Sequence, residues 1–356
     1  MLSLNILPAK HGDCLIVTYG PHGEHHVLID GGPAHSYESG LGQYLRDHPD
    51  LRHIELMIVT HVDTDHVDGA LCLLNDVRAG ALQDLVLGEV WFNGYEQLTG
   101  AILDRGAKQG EYFTYLLRGL NQSLNEAFGG KAVYRDLANE IHLPGGATLT
   151  VLTPGRTEIE RMRREWETTC TEAGYTAGDA DSLGADMENR KMYNPQLTRG
   201  ETEERASKRP GADASAPNGS SIGVLFEYDH KRILLAGDAH ARTLAESIRR
   251  YNERWGVQRM VVDLFKLAHH GSVSNLTSEL LDLVDCRKFV VSSNGDRFGH
   301  PDVECLRLIE DGARERLEND ATTVYFNYAA RMAAFKTHVD LRGLLRLEAS
   351  NTIDLA

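Results

Sequence analysis

The stretch THVDTDHVDG, residues 60–69, sets two histidines and three aspartates into the eight positions from His61 to Asp68. It follows the largely apolar run 54–59 and ends at Gly69. A chain leaving a strand aims alternate side chains to one side, so His61, Asp63 and Asp65 share a period of two, and His66 adds a further direction. Neutral imidazole and carboxylate are the donors that divalent transition ions take. An acidic helix start, with Asp65 as N-cap and Asp68 in the first turn, accounts for one or two of the aspartates. It leaves the flanking histidines unexplained, and the stretch reads as part of a metal centre at the carboxyl end of a strand.

Around it the punctuation is regular. Residues 2–7, 14–19 and 25–30 read as strands of an antiparallel meander, parted by Gly12-Asp13, Gly20-Pro21 and Gly23. A helix is expected over 41–47, a strand over 54–59, and a helix from Val67 or Asp68 to about Val77. Residues 86–92 read as strand, 111–128 as helix from the apolar spacing, and 148–152 as strand. Residues 156–172 are charge-rich and predicted helical, and 178–216, poor in large apolar residues, read as an inserted mobile loop. Regular structure resumes with a strand pair at 222–228 and 232–236, then a helix at 242–251 and a strand at 261–268. A helix at 277–284, a strand at 288–292, a helix after Gly299-His300-Pro301 and strands at 322–326 and in the last 25 residues complete the pattern. Strands followed by helices, twice over, predict an α/β fold of two sheets packed face to face with helices outside.

Bulk properties bound the function. The chain has 356 residues, 42% hydrophobic and 25% charged, with a formal net charge of −15. That balance repels phosphate backbones and argues against broad nucleic-acid binding, though bound cations invert the field locally. Five scattered cysteines with no C-x-x-C pair fit a reducing compartment. No signal peptide and no apolar run of ~18 residues is visible, so the expected location is cytoplasmic, with no membrane partner.

Three more polar clusters follow apolar strands. Asp238 comes directly after residues 233–237 and is placed as a bridging carboxylate. His269-His270-Gly271-Ser272 offers adjacent histidines, one suited to bind an ion and the other to support it by hydrogen bonding; the sequence leaves open which. His300 stands before a proline, where a capped turn and a functional group read alike.

Taken in order, HVDTDH (61–66), LLAGD (234–238), LAHHGS (267–272) and FGHP (298–301) resemble the metallo-β-lactamase-fold hydrolases. The nearest branch is the soluble hydrolase domain of ComEC-type DNA-uptake proteins and its stand-alone relatives. LPAKHGDCLIVTYG (7–20), HVLIDGG (26–32) and NGSSIGVLFEYDHKRILLAGD (218–238) are similar to that branch as well, so the resemblance spans 1–155 and 218–328. It implies an αββα sandwich over 1–328, interrupted by an insertion at 156–217 and followed by carboxyl-terminal strands or an extension at 329–356. It implies two divalent ions, Mn²⁺ or Zn²⁺ with Mg²⁺ as a further candidate. His61 and Asp63 would hold one, Asp65 and His66 the other, Asp238 would bridge them, and His269 or His270 would complete the second. Asp30 would lie beneath the ligands, His300 would face the cleft, and Asp13 and Ser272 would support the rim. Two departures stand out. Asp63 replaces a histidine of the wider His-x-His-x-Asp-His pattern, and the third histidine of the first site has no counterpart, Asn93 and His142 being the nearest residues. An oxygen-rich first site shifts preference from Zn²⁺ towards Mn²⁺ or Mg²⁺.

The activity implied is hydrolysis of a phosphodiester, with DNA as the substrate, by a metal-bridged hydroxide. Asp65 would orient the nucleophile, and His300 or the non-ligating histidine of the pair would protonate the leaving oxygen. Basic residues would then have to gather locally, from 161–165 or from Lys266, Arg287, Lys288 and Arg297. A hydrolase of a small ester, lactone or nucleotide is the alternative enzyme. A metal-binding effector of a bacterial defence complex, meeting a protein partner through 156–217, is the alternative of another class.

Overall fold

The computed structural model describes residues 1–82, 84–98, 107–135, 140–172, 174–189, 211–315, 321–338 and 343–355. Neighbouring side chains on its central strands go to different cores. Val27, Ile29, Leu56 and Ile58 enter one apolar cluster, while Leu28 and Met57 enter another. Ile233 and Leu235 join the first cluster from the other half of the chain, and Leu234 turns away to Phe265 and Phe289. Strands buried on both faces need continuous apolar runs, which is what marks them in the sequence. The chain thus forms two mixed sheets around a shared inner core, with helices on both outer faces: the αββα arrangement.

The first sheet runs, in spatial order, Thr352–Asp354, Leu2–Ile6, Leu15–Tyr19, His25–Ile29, His53–Ile58, Val86–Trp91 and Ser123–Leu124. The second runs Leu345–Ala349, Thr322–Phe326, Lys288–Val291, Leu264–Lys266, Lys231–Leu235, Gly223–Tyr228, Thr148–Thr153 and Ile141–His142. Each is antiparallel on one side and parallel on the other. Helices Leu41–Asp47, Thr64–Arg78 and Ala107–Gly119 bury apolar residues in the outer core of the first sheet, and Ala241–Trp255 does so on the second. Residues 329–356 supply a helix and one edge strand to each sheet.

Three expectations need correction. The helix after the histidine–aspartate stretch begins at Thr64, so Asp65 and His66 lie in its first turn; Asp63, not Asp65, holds the N-cap position, without a side-chain cap bond. The helix predicted over 111–128 is Ala107–Gly119; Asn121 and Asn125 then take left-handed backbone, and the chain turns into the short strand Ser123–Leu124. The strand predicted over 261–268 breaks at Asp263, which hydrogen-bonds Arg232 through both its backbone N–H and its carboxylate. Met260–Val262 therefore pairs with Val284–Cys286 in a separate small sheet. Residues 156–172 are helical as expected, and 180–189 add a second helix; residues 190–210 of the expected mobile loop lie outside the described residues. All five cysteines are buried, and none forms a disulfide. Among the described residues no helix is long and apolar enough to cross a membrane.

Gly31 and Gly69 lock the strand end carrying Asp30 against the helix carrying Asp65 and His66. A Cβ on Gly69 would fall 1.9 Å from the Gly31 carbonyl oxygen, and one on Gly31 would fall 2.1 Å from the Ala70 nitrogen. The N–H of Gly31 donates to the His66 carbonyl (2.9 Å), and that of Gly69 to the Gly32 carbonyl (2.7 Å). Helix propensity alone makes Gly69→Ala a gain of about 1 kcal/mol. Here the backbone contact reverses the sign, and a loss of roughly 3 kcal/mol is expected. Urea unfolding measures this, and a raised midpoint in the alanine variant would refute the close-packing account.

Candidate metal centre

The parallel strands of both sheets end at one edge of the sandwich, and the polar clusters leave from those ends. His61 follows strand His53–Ile58, Asp238 follows Lys231–Leu235, and His269 and His270 follow Leu264–Lys266. His269 (φ 47°) and His270 (φ 55°) are consecutive left-handed residues, a costly backbone that persists at sites where geometry is imposed. It turns two adjacent imidazoles towards one carboxylate.

That carboxylate is Asp238. Its Oδ2 lies 3.4 Å from His66 Nε2 and 3.7 Å from the Nε2 of both His269 and His270. Donor atoms of His61, His66 and Asp238 form one tight group, and those of Asp65, His66 and His270 form another. His270 Nε2 is 3.8 Å from Asp65 Oδ2, and His61 Nε2 is 3.6 Å from Asp63 Oδ2. The sequence-predicted His61, Asp63, Asp65, His66, Asp238, His269 and His270 are therefore brought together.

Each imidazole is tethered through its other nitrogen. His66 Nδ1 meets Asp30 Oδ2 at 2.8 Å, and His61 Nδ1 meets Thr60 Oγ1 at 3.0 Å and Ser221 Oγ at 3.2 Å. His270 Nδ1 meets the Ser292 carbonyl at 3.0 Å and Asp13 Oδ1 at 3.2 Å. His269 Nδ1 meets Asn275 Oδ1 at 3.0 Å and Asp213 Oδ2 at 3.5 Å. The Nε2 atoms of His61, His66 and His270 and Oδ1 of Asp238 are buried without a hydrogen bond. Buried polar atoms left unpaired cost about 1–3 kcal/mol each. Imidazoles held at Nδ1 with Nε2 facing a shared carboxylate are what divalent ions bind, so these residues fit such ions.

The electrostatics agree. Burial opposes charge on His66, but Asp238 and Asp30 outweigh it and hold its pKa well above the imidazole range. Burial likewise opposes ionisation of Asp238, and His66, His269 and His270 overcome it, pulling its pKa well below the carboxylate range. His269, lowered by burial but raised more by Asp238 and Asp213, reaches about 9. The histidines around Asp238 thus favour its charged form.

Asp30 lies beneath His66 as the sequence implies, its carboxylate also accepting from Thr60 N and Oγ1 at 2.8 Å each. Asp30→Asn exchanges a carboxylate acceptor for an amide, and a 10–100-fold (order of magnitude) loss of metal affinity is expected from competition with a chromogenic chelator. Unchanged affinity would show that His66 needs no such support. His300 is buried with its ring 5.4 Å from that of His269. Its pKa is lowered by burial, with Asp302 opposing.

Other expectations are placed elsewhere. Asp13 is not on the rim; it is buried between Lys266 and His270. Ser272 caps a turn by accepting from Ser274 N. Asn93 is no stand-in for the missing histidine, because both ends of its amide bond the Val133 backbone, at 2.7 and 2.9 Å. His142 sits on the far edge strand of the second sheet. Lys266, proposed as a substrate contact, is 1% exposed and ion-paired.

Sequence reasoning missed Asp213, Asn275 and His11. Asp213 fell in the stretch read as a loop, and its pKa drops below the usual range: burial opposes, while hydrogen bonds from His269, Asn218 and Asn275 prevail. Its signal was position, five residues before the Asn218 motif. His11, two residues before Asp13, was visible as an imidazole in the first turn.

No protein-family model matches the chain, and no curated protein matches it. Among solved structures it is similar to a diphosphatase from the PhnP family, with 11% identity, 100% of this chain and 98% of that one covered, and a TM-score of 0.41. It is similar to the metallo-β-lactamase fold protein YhfI from Bacillus subtilis, with 9% identity, 99% and 100% covered, and a TM-score of 0.42. CmlA, a diiron β-hydroxylase from Streptomyces venezuelae, matches with 12% identity over 90% of this chain and 52% of that one, at a TM-score of 0.43.

Proposed function

We propose that the chain is a metal-dependent hydrolase of the metallo-β-lactamase type that cleaves phosphodiesters, with a DNA strand as its substrate. The observation that carries this reading is the convergence on Asp238 of imidazoles tethered at Nδ1, three of them with buried, unpartnered Nε2 atoms. His61, Asp63 and Asp238 would hold one ion; Asp65, His66, His270 and Asp238 would hold the other. Manganese or zinc suits this mixture of imidazole and carboxylate. When bound, such ions supply an activated water and Lewis-acid stabilisation of charge on the substrate oxygens.

The remaining steps belong to the chain. Asp65, at the helix start, accepts a hydrogen bond from the attacking water and aligns it. Burial, overcome by His66, His11 and His270, leaves its carboxyl below the usual range, so it is ionised at neutral pH. His269 is fixed by Asp213 and Asn275 beside Asp238. His300, its ring 5.4 Å from that of His269, would pass a proton to the leaving oxygen, with Asp302 Oδ2 3.7 Å from its Nδ1 favouring the charged form against burial.

The test incubates the protein with single-stranded DNA, duplex DNA, RNA, bis(4-nitrophenyl) phosphate and a carboxyl-ester reporter, with Mn²⁺, Mg²⁺ and Zn²⁺ in turn. Metal-dependent cleavage of DNA and of the phosphodiester reporter supports the reading. Cleavage of the carboxyl ester alone overturns it in favour of an ester hydrolase.

A further inference from the structure

Two loops far apart in sequence are joined beside Asp65. Asn294 N donates to the Lys10 carbonyl (2.7 Å), and Ser292 Oγ donates to the Gly12 carbonyl (3.0 Å). Gly12 lies so close to the metal centre that a Cβ there would fall 1.9 Å from the Asp65 carbonyl oxygen. Asp13 N donates to that same oxygen at 3.3 Å. Side chains leaving these loops therefore form a wall next to Asp65.

The wall is made of His11, Arg297 and Phe298, and His35 from the turn at residues 34–39 stacks on it. Arg297 Nη1 donates to His11 Nε2 at 3.0 Å, and the guanidinium lies 5.0 Å over the Phe298 ring. The His11 ring stacks on His35 and meets Phe298 edge-on, with centroids 5.9 Å apart in each case. Burial is the main cause that lowers the His11 pKa to about 4, with Asp65 opposing and Arg297 assisting. His11 is thus neutral at physiological pH. It accepts from the guanidinium and fixes its orientation near Asp65.

We propose that Arg297 and His11 form a phosphate subsite beside the metal centre, which holds the phosphoryl group next to the scissile one while Phe298 and His35 receive a base. The planar fork of arginine matches phosphate oxygens in pairs, and aromatic faces stack bases of any sequence. The proposal rests on the phosphodiesterase reading and narrows its substrate to a nucleotide strand.

Isothermal titration of the full chain as purified, with thymidine 5′-monophosphate, inorganic phosphate and thymidine as probes, tests it. The nucleotide should bind more tightly than either fragment. Arg297→Ala should weaken nucleotide binding about tenfold or more, and Arg297→Lys should recover only part of that. Phe298→Ala should weaken the nucleotide and leave inorganic phosphate unchanged. In turnover, Arg297→Ala should raise KM for an oligonucleotide more than KM for bis(4-nitrophenyl) phosphate, which has no neighbouring phosphate. Equal nucleotide affinity in wild type and Arg297→Ala overturns the subsite. Failure of the hydrolytic reading looks different: no phosphodiester is cleaved with any ion, whatever the nucleotide affinity.

Discussion

Asp238→Asn is expected to abolish phosphodiester hydrolysis and leave the fold standing. Among the described residues Asp238 is the one carboxylate within 3.4–3.7 Å of three imidazole Nε2 atoms, and donor atoms from both halves of the chain are grouped around it. An amide keeps the shape but loses the charge that binds and bridges cations. The rate should fall on the order of 10³-fold or more, the scale of losing a major electrostatic contribution in a water-excluded site. Metal analysis by mass spectrometry should show fewer equivalents bound. Melting should report the same loss, since a ligand that binds only the native state raises Tm with its concentration. Wild-type Tm should rise with added Mn²⁺ or Zn²⁺, and that of the variant should rise far less. An asparagine variant with full activity and full metal content would remove Asp238 from the centre.

Lys266→Met is expected to give the largest loss of stability from a side chain that touches no substrate. Lys266 and Asp13 are each 1% exposed and paired with one another, and Asp13 also meets His270 Nδ1. Removing the ammonium leaves a buried carboxylate without its cation, which costs roughly 3–5 kcal/mol. The double variant Lys266→Met/Asp13→Asn should recover much of this, so a double-mutant cycle in urea isolates the pair. pH gives a second reading. Burial pushes the Asp13 carboxyl up, but Lys266 and His270 pull it further down, below the carboxylate range. A depressed folded-state pKa contributes stability above the unfolded value, roughly pH 4, and loses it as pH falls through the folded one. Acid should therefore erode the wild type more than the double variant. A Lys266→Met midpoint within error of wild type would show that water or rearrangement satisfies Asp13.

Much of this architecture was legible because burial on both faces of a strand leaves a simple trace. The runs at 54–59, 222–228 and 233–236 could be read without knowing their partners, and the first and last each led to a polar residue at the same edge. Helix ends were harder. Leu124 and Phe128 continue the apolar spacing of the helix before them, although that helix ends at Gly119 and the chain turns through left-handed Asn121 and Asn125. Nor does composition show that Asp263 would satisfy the Arg232 backbone and split a strand. The candidate ligands were legible because two histidines and three aspartates fall within eight positions after an apolar strand. Their supports were not. Asp213 reaches His269 across 56 positions of sequence, from a segment whose composition resembles a surface loop. His11 gains its meaning only from Arg297, 286 positions away.

The pairing of Leu2–Ile6 with Thr352–Asp354 has a practical side. Ser3 stands opposite Asp354, and the strand that starts at Leu2 runs towards the loop bearing His11 and Asp13. Residues 3 and 354 therefore lie side by side at the end of the first sheet away from the candidate metal centre. A short Gly/Ser linker could join them into a circular permutant without crossing the site. For the same reason, a chain anchored to a bead or a sensor chip through either of these strands would present the edge bearing the candidate metal centre outwards.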